Sequence, residues 1–175
     1  MPGFALLLRG VNVGGNRKVP MAELRELLDG LGFTQVKTLL QSGNAVFAAD
    51  GPAAAVAEAA EAALAERYGV EIRCLALTRE ELQAALEDNP FAAVADNGSR
   101  MVVGWLFGPA PTGAPGPEEL DPERIAVRGG LFYQWCPDGI SNSPDVAAFL
   151  RKEWKVAVTA RNRNTVEKLV AAIPG

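Results

Sequence analysis

The sequence predicts an α+β protein of two βαββαβ units in tandem, joined by a helix and followed by one more helix. Three observations carry this reading. Short apolar runs and helical stretches follow one another in the same order twice; Ser-Gly and Gly-Gly steps fall where hairpins are needed; and a proline opens three of the expected helices. The order is that of a ferredoxin-like split βαβ unit. It divides the chain into a first unit at 1–78, a connecting helix and turn at 79–97, and a second unit with the last helix at 98–175.

Residues 4–8, a continuous apolar run, read as a buried strand. Pro20 suits the first position of a helix whose stripe is Met21, Leu24, Leu27, Leu28 and Leu31, ended by Gly30 and Gly32. "TQVKTLL" and "NAVFAA" are two strands meeting at Ser42-Gly43. Pro52 starts an alanine-rich helix to about Tyr68, Gly69 breaks it, and "VEIRCLAL" at 70–77 alternates as the fourth strand. This topology places strand 4–8 between strands 44–48 and 70–77.

Thr78 and Glu81 form a capping box for the connecting helix, which stops at Asn89-Pro90. "MVVGWLF" begins the second unit. Its first crossover, "GPAPTGAPGPEELD", holds at best one helical turn. "RIAVR" and "LFYQW" pair across Gly129-Gly130, a strong hairpin signal. Ser143 is expected to cap a helix with Pro144 at its first position, carrying Val146, Phe149, Leu150 and Trp154 inward. "KVAVTA" is the last strand, and Asn164 with Glu167 caps the last helix.

With 49% hydrophobic and 22% charged residues among 175, the chain has the composition of an ordinary globular protein with a real core. Its net charge of −4 supplies no global field for nucleic acid. The opening apolar run is too short for a signal peptide or a membrane span, so a cytoplasmic protein without a membrane partner is expected. Cys74 and Cys136 lie far apart with no CxxC, which suggests neither zinc nor a disulfide framework. The chain has no histidine. That removes the serine and cysteine triads, HExxH zinc sites and imidazole acid–base chemistry. No metal-ligand motif is indicated, the cofactor is left unknown, and an enzyme here would need its substrate or a metal to supply what histidine would.

Chemistry concentrates in "RGVNVGGNRKVP". A connection between a buried strand and a helix needs neither three cations nor this much glycine and asparagine. Gly14 and Gly15 can turn backbone N–H groups toward a ligand beside the helix that follows, although Pro20 withholds one donor. Neither GxxxxGK[ST] nor GxGxxG is matched. In the expected topology the end of the first strand and the second hairpin share one sheet edge. Arg9, Asn12 and Lys18 should therefore converge with Gln41, Ser42 and Asn44. A second corner is "RNRNT", where Arg161 and Asn162 follow the last strand; they are expected to line an inter-domain cleft with Arg9 and Asn12.

These stretches, "LLRGVNVGGNRKVPMAELRELL…GF…QSGN" and "RNRNTVEKL", with "NPF" at 89–91 and "PDGISNS" at 137–143, closely resemble the bacterial family called domain of unknown function 1697. The resemblance spans essentially the whole chain. It departs at Arg163, where the family usually has tryptophan, so Arg163 stays outside the site. The resemblance implies a fold and a choice of residues but names no substrate. The leading reading is a binding protein for a small phosphate- or carboxylate-bearing ligand. An enzyme using the same pocket, with Lys18 or Arg9 stabilising charge, stands beside it. So do an interaction-only protein and a nucleic-acid module, the latter disfavoured because the central strands offer only Phe4 and Phe47 as aromatic platforms.

Overall fold

The computed structural model of the protein describes residues 1–12 and 17–175. The fold is α+β, with two four-stranded antiparallel sheets. The chain forms two compact units, Met1–Gln83 with Lys168–Gly175, and Ala84–Glu167.

The first unit contains β1 (Gly3–Leu8), α1 (Met21–Gly30), β2 (Thr34–Leu39), β3 (Asn44–Ala48), α2 (Ala53–Tyr68) and β4 (Cys74–Leu77). Its sheet order is β2-β3-β1-β4, so β1 is flanked by β3 and β4 as the element order requires. Phe4, Leu6 and Leu8 of β1 join Ala45, Phe47, Cys74 and Ala76 on one face, packed with Leu24, Leu28, Val56, Ala60 and Leu64 of the helices. Ala5, Leu7 and Val46 on the other face are buried as well. An unbroken apolar run, rather than an alternating one, is what a strand buried on both faces needs. Pro20 and Pro52 stand one position ahead of their helices in extended conformation, not at the first helical residue. Gly69 closes α2 in the left-handed region at φ 70°. β4 starts at Cys74 rather than Val70 because β1 ends at Leu8; the Arg9 N–H bond to the Arg73 carbonyl carries the pairing one residue further.

Thr78 and Glu81 cap α3 (Arg79–Glu87) reciprocally, as the capping box predicts. The second unit then runs β5 (Met101–Leu106), β6 (Ile125–Arg128), β7 (Leu131–Trp135), α4 (Val146–Phe149), β8 (Val158–Asn162) and the first residues of α5 (Arg163–Ala172), which continues into the first unit at Lys168, with sheet order β6-β7-β5-β8. Its first crossover contains only the 3-10 turn Pro117–Glu119. α4 runs into a π turn, Leu150–Trp154, stopped by Lys155 at φ 55°. Among the described residues no helix is long and apolar enough to cross a membrane.

Three expectations are corrected here. Asp145, not Ser143, caps α4: its Oδ1 accepts the Ala148 N–H at 2.9 Å, while the Ser143 hydroxyl donates to the Gly139 carbonyl. The last strand lies at 158–162, not 155–160, because the π turn and Lys155 use up the residues before it. Arg161 and Asn162 therefore belong to β8, opposite Val103 and Val102. Finally, Asn162 rather than Asn164 caps α5; its Oδ1 accepts from Thr165 N at 2.9 Å and Thr165 Oγ1 at 3.1 Å.

Candidate functional site

The candidate site is built at the edge where β1 leaves the first sheet. Leu8 N donates to the Gly43 carbonyl and Arg9 N to the Arg73 carbonyl, both at 2.9 Å. Carried one step past Leu8↔Cys74, the β1–β4 register sets Arg9 opposite Arg73, and the Leu8–Gly43 bond holds the start of the β2–β3 turn against the end of β1. Two guanidinium side chains thus start from directly opposed backbone positions.

Asn12 organises the loop that follows. Its amide pairs with the Val19 peptide in both directions, Nδ2 to the carbonyl and Val19 N to Oδ1, each at 2.9 Å. Nδ2 also donates to the Gln41 carbonyl at 2.6 Å, which ties the loop to the β2–β3 turn. Arg17 Nη1 donates to the Glu71 carbonyl at 2.8 Å and fastens the same loop to the approach of β4. Gly14, Gly15 and Asn16, on which the expected backbone cradle rests, lie outside the described residues.

The turn itself is tight. Asn44 is 0% exposed, and its Nδ2 donates to the Leu39 carbonyl at 3.0 Å and to Ser42 Oγ at 2.8 Å. A Cβ on Gly43, at φ 89°, would lie 2.6 Å from Val11 Cγ2, so glycine is demanded by both backbone and space. Asn12, Arg17 and Leu40 all have positive φ, at 56°, 45° and 60°. Asparagine tolerates this conformation; arginine and leucine are strained by it, and such strain gathers at functional sites. Next to the loop, a cavity of about 320 Å³ is lined by Arg17, Lys18, Val19, Tyr68, Val70 and Ile72. Tyr68 donates to Glu23 Oε1 at 2.9 Å, and burial together with that carboxylate raises its pKa.

The structure thus brings Arg9, Asn12, Gln41, Ser42 and Asn44 to one edge, with Lys18 on the same loop. It gives them different work. Asn12 and Asn44 hold backbone together, Lys18 and Gln41 are exposed, and Arg9 and Ser42 are half-buried. Sequence reasoning missed Arg73. Its signal was present: "EIRCL" alternates, and the β1–β4 register sets Arg73 opposite Arg9 once that pairing is accepted.

The second corner is put to structural use. Arg161 is 9% exposed, and its Nη1 donates to Thr159 Oγ1 and the Ala160 carbonyl at 2.9 and 2.8 Å. Burial lowers its pKa to about 10. Asn162 fills the start of α5. Arg163 donates to the Ala95 carbonyl at 2.9 Å and pairs with Glu167 at 3.6 Å. Cys74 and Cys136 are free and buried, and burial raises both thiol pKa values, which makes them poor nucleophiles. No cluster of three metal-ligating side chains occurs among the described residues.

The family described as "Protein of unknown function (DUF1697)" matches residues 1–133, which include the whole β1–loop–turn edge. The "PDGISNS" and "RNRNTVEKL" stretches lie beyond the matched residues. The chain is also similar to the solved structure of the conserved bacterial protein SP0830 from Streptococcus pneumoniae: 26% identity, 97% of each chain covered, TM-score 0.67. No curated protein matches the sequence.

Proposed function

This chain belongs to the DUF1697 family, and we propose that it binds a small phosphate- or carboxylate-bearing ligand at the edge of its first sheet. The observation that supports this most is the pairing of Arg9 with Arg73 at the end of β1. Planar guanidinium groups that start from opposed backbone positions suit bidentate capture of one phosphate or carboxylate. Lys18 adds charge from the loop, Gln41 and Ser42 add uncharged donors, and Asn12 and Asn44 fix the loop and the turn that present them. Arg161 and Asn162 are left out, because a buried strand residue and a helix cap already have work. The βαββαβ order, with β1 and β3 as inner strands, also supports reading the first unit as ferredoxin-like.

The test is thermal unfolding with phosphate or sulfate against chloride at equal ionic strength. A ligand that binds only the native state raises the midpoint, by the equivalent of about 2.7 kcal/mol at a hundred times its Kd. Phosphate should raise the wild-type midpoint beyond chloride. Arg9→Ala and Arg73→Ala should blunt the rise, and Arg151→Ala, an exposed arginine of the second unit, should not. Equal effects of phosphate and chloride, or equal blunting by all three variants, would overturn the proposal.

A further inference from the structure

The second unit contains a cavity where the first unit has a packed aromatic cluster. In the first unit, Phe4 of β1 faces Phe47 of β3 in register, and Phe33 stacks on Phe47 with ring centroids 4.6 Å apart. The corresponding pair in the second unit is Val102 of β5 and Gln134 of β7. Each is the second residue of the unit's first strand together with its cross-strand partner, on the side where the unit's core gathers. The first crossover of the second unit also brings no α-helix, where the first unit has α1. The consequence is an unfilled space of about 340 Å³ between the sheet and the "PDGISNS" loop, within the range of small-molecule sites.

The buried polar side chain on this space is Gln134, and Ser141, Ser143 and Asp145 stand nearer its mouth. Gln134 is 5% exposed, and its Nε2 donates to the Pro144 carbonyl at 2.9 Å, which fixes Oε1 as the remaining end of the amide. No donor reaches that oxygen among the described residues. Nor is any buried side-chain polar atom there sealed off without a partner, so Oε1 must open onto space, and the space Gln134 lines is this cavity. Ser143 is already engaged, with its hydroxyl donating to the Gly139 carbonyl and lying against the Cys136 thiol. Asp145 uses Oδ1 to cap α4 and has a second oxygen to offer. No lysine or arginine lines the cavity; its apolar wall is Val102, Phe132, Val146, Ala147 and Ala160. A carboxylate and a buried amide oxygen over an apolar wall, with no cation in the lining, call for a ligand that donates and is not anionic.

We infer that this cavity is a binding site for a small ring-bearing amine or amidine, its ring against Phe132 and Val102 and its N–H groups on Gln134 Oε1 and the Asp145 carboxylate. The inference is independent of the anion site on the first unit.

The test titrates the whole protein with benzamidine, and with benzoate as the same ring carrying the opposite charge, followed by NMR shifts of the second unit. Benzamidine should saturate with a Kd of roughly millimolar order, as a ligand of this size allows, and at least tenfold tighter than benzoate. Gln134→Leu, which keeps the bulk but removes the acceptor, should weaken benzamidine about tenfold or more while the midpoint of unfolding holds or rises. Asp145→Asn retains a competent helix cap and should also weaken it severalfold, so it decides the matter if Gln134→Leu fails to fold. Benzoate binding as well as benzamidine, affinity indifferent to both substitutions, or no saturation by benzamidine would overturn the inference.

Discussion

Arg9 with Asn12 and Arg161 with Asn162 are the same residue types beside the end of a strand that leads into a helix, yet the two places do opposite things. After Leu8 the chain takes residues 9–20 to reach α1, whereas β8 ends at Asn162 and α5 begins at Arg163 with nothing between. The long connection lets Asn12 hold a loop against the β2–β3 turn, so that Arg9, Lys18 and Gln41 stand at a solvent-accessible edge. The short one draws Arg161 into the strand, where it is buried on Thr159 and Ala160, and makes Asn162 the cap. Residue type does not decide what stays exposed; the length of chain that can be held away from the core does.

The two hairpins offer the strongest way to sharpen this contrast. Gly43→Ala should be the most damaging single change at the first edge. It imposes a positive φ on alanine and puts a methyl group 2.6 Å from Val11 Cγ2 and 3.0 Å from Leu8 Cβ. A loss of about 3 kcal/mol is expected, combining backbone strain with overpacking. Gly129, at φ 59° in the second hairpin, has open space around it, so Gly129→Ala should cost only about 1 kcal/mol. Urea unfolding of both variants checks the ratio. Equal losses would mean that the first turn is no more tightly built than the second.

Asparagine gives the next contrast. Asn44→Ala strips the Leu39 carbonyl and Ser42 Oγ of a buried donor and should cost about 2–3 kcal/mol. In a chain of this size that is a fall in midpoint of roughly 5–10 °C. Asn162→Ala removes one cap, worth about 1 kcal/mol, and should lower the midpoint by only a few degrees. The reverse order would locate the structural asparagine at α5 instead.

A third contrast is one of pH. Tyr133 in the second unit donates to the Ala85 carbonyl at 2.7 Å, and burial raises its pKa to about 12. A raised folded-state value means that its contribution is complete below the unfolded-state value, about 10, and is lost as pH rises from there through 12. Roughly 2 kcal/mol is at stake across that window. In Tyr133→Phe the alkaline fall in stability should flatten between pH 10 and 12, measured by urea midpoints at each pH. Arg161 works the other way. Its lowered value makes burial a penalty at every pH below about 10, so it contributes no pH dependence near neutrality.

Much of this architecture was legible in the chain. The "FALLL" run, Pro20, the Ser42-Gly43 and Gly129-Gly130 turns and the Thr78–Glu81 box are local signals, and each states its element within a few residues. Ends that depend on a partner were not legible. β4 starts late because β1 stops at Leu8, and β8 is displaced because the helix before it continues as a π turn. The edge that gathers Arg9, Asn12 and Gln41 followed from topology. Arg73 required register, which no single stretch of sequence displays, and the roles of Asn12 and Asn44 required knowing which carbonyls stood within reach. The cavity under "PDGISNS" was hidden for a further reason: a space is defined by the side chains that fail to fill it.

The smallest effect bears most directly on whether the first edge is a site at all. Lys18 is exposed on the loop, and no hydrogen bond or ion pair ties its ammonium group to the described residues. A lysine kept for folding would show its worth when removed; one kept for a ligand would not. Lys18→Ala should therefore change unfolding free energy by no more than about 0.5 kcal/mol, the range of an ordinary surface substitution. Its consequence should lie elsewhere. One fewer cation on the loop that follows Arg9 weakens a bound anion by roughly the worth of an exposed charge pair, up to about 1 kcal/mol or a fivefold loss in affinity. That loss should shrink as sodium chloride is raised toward 1 M, where the screening length falls to about 3 Å. Unfolding midpoints with and without phosphate, at low and high salt, measure both quantities on one variant. If Lys18→Ala destabilises the protein without phosphate yet leaves the phosphate increment intact, the loop is held together by its lysine and the anion reading must rest on Arg9 and Arg73 alone.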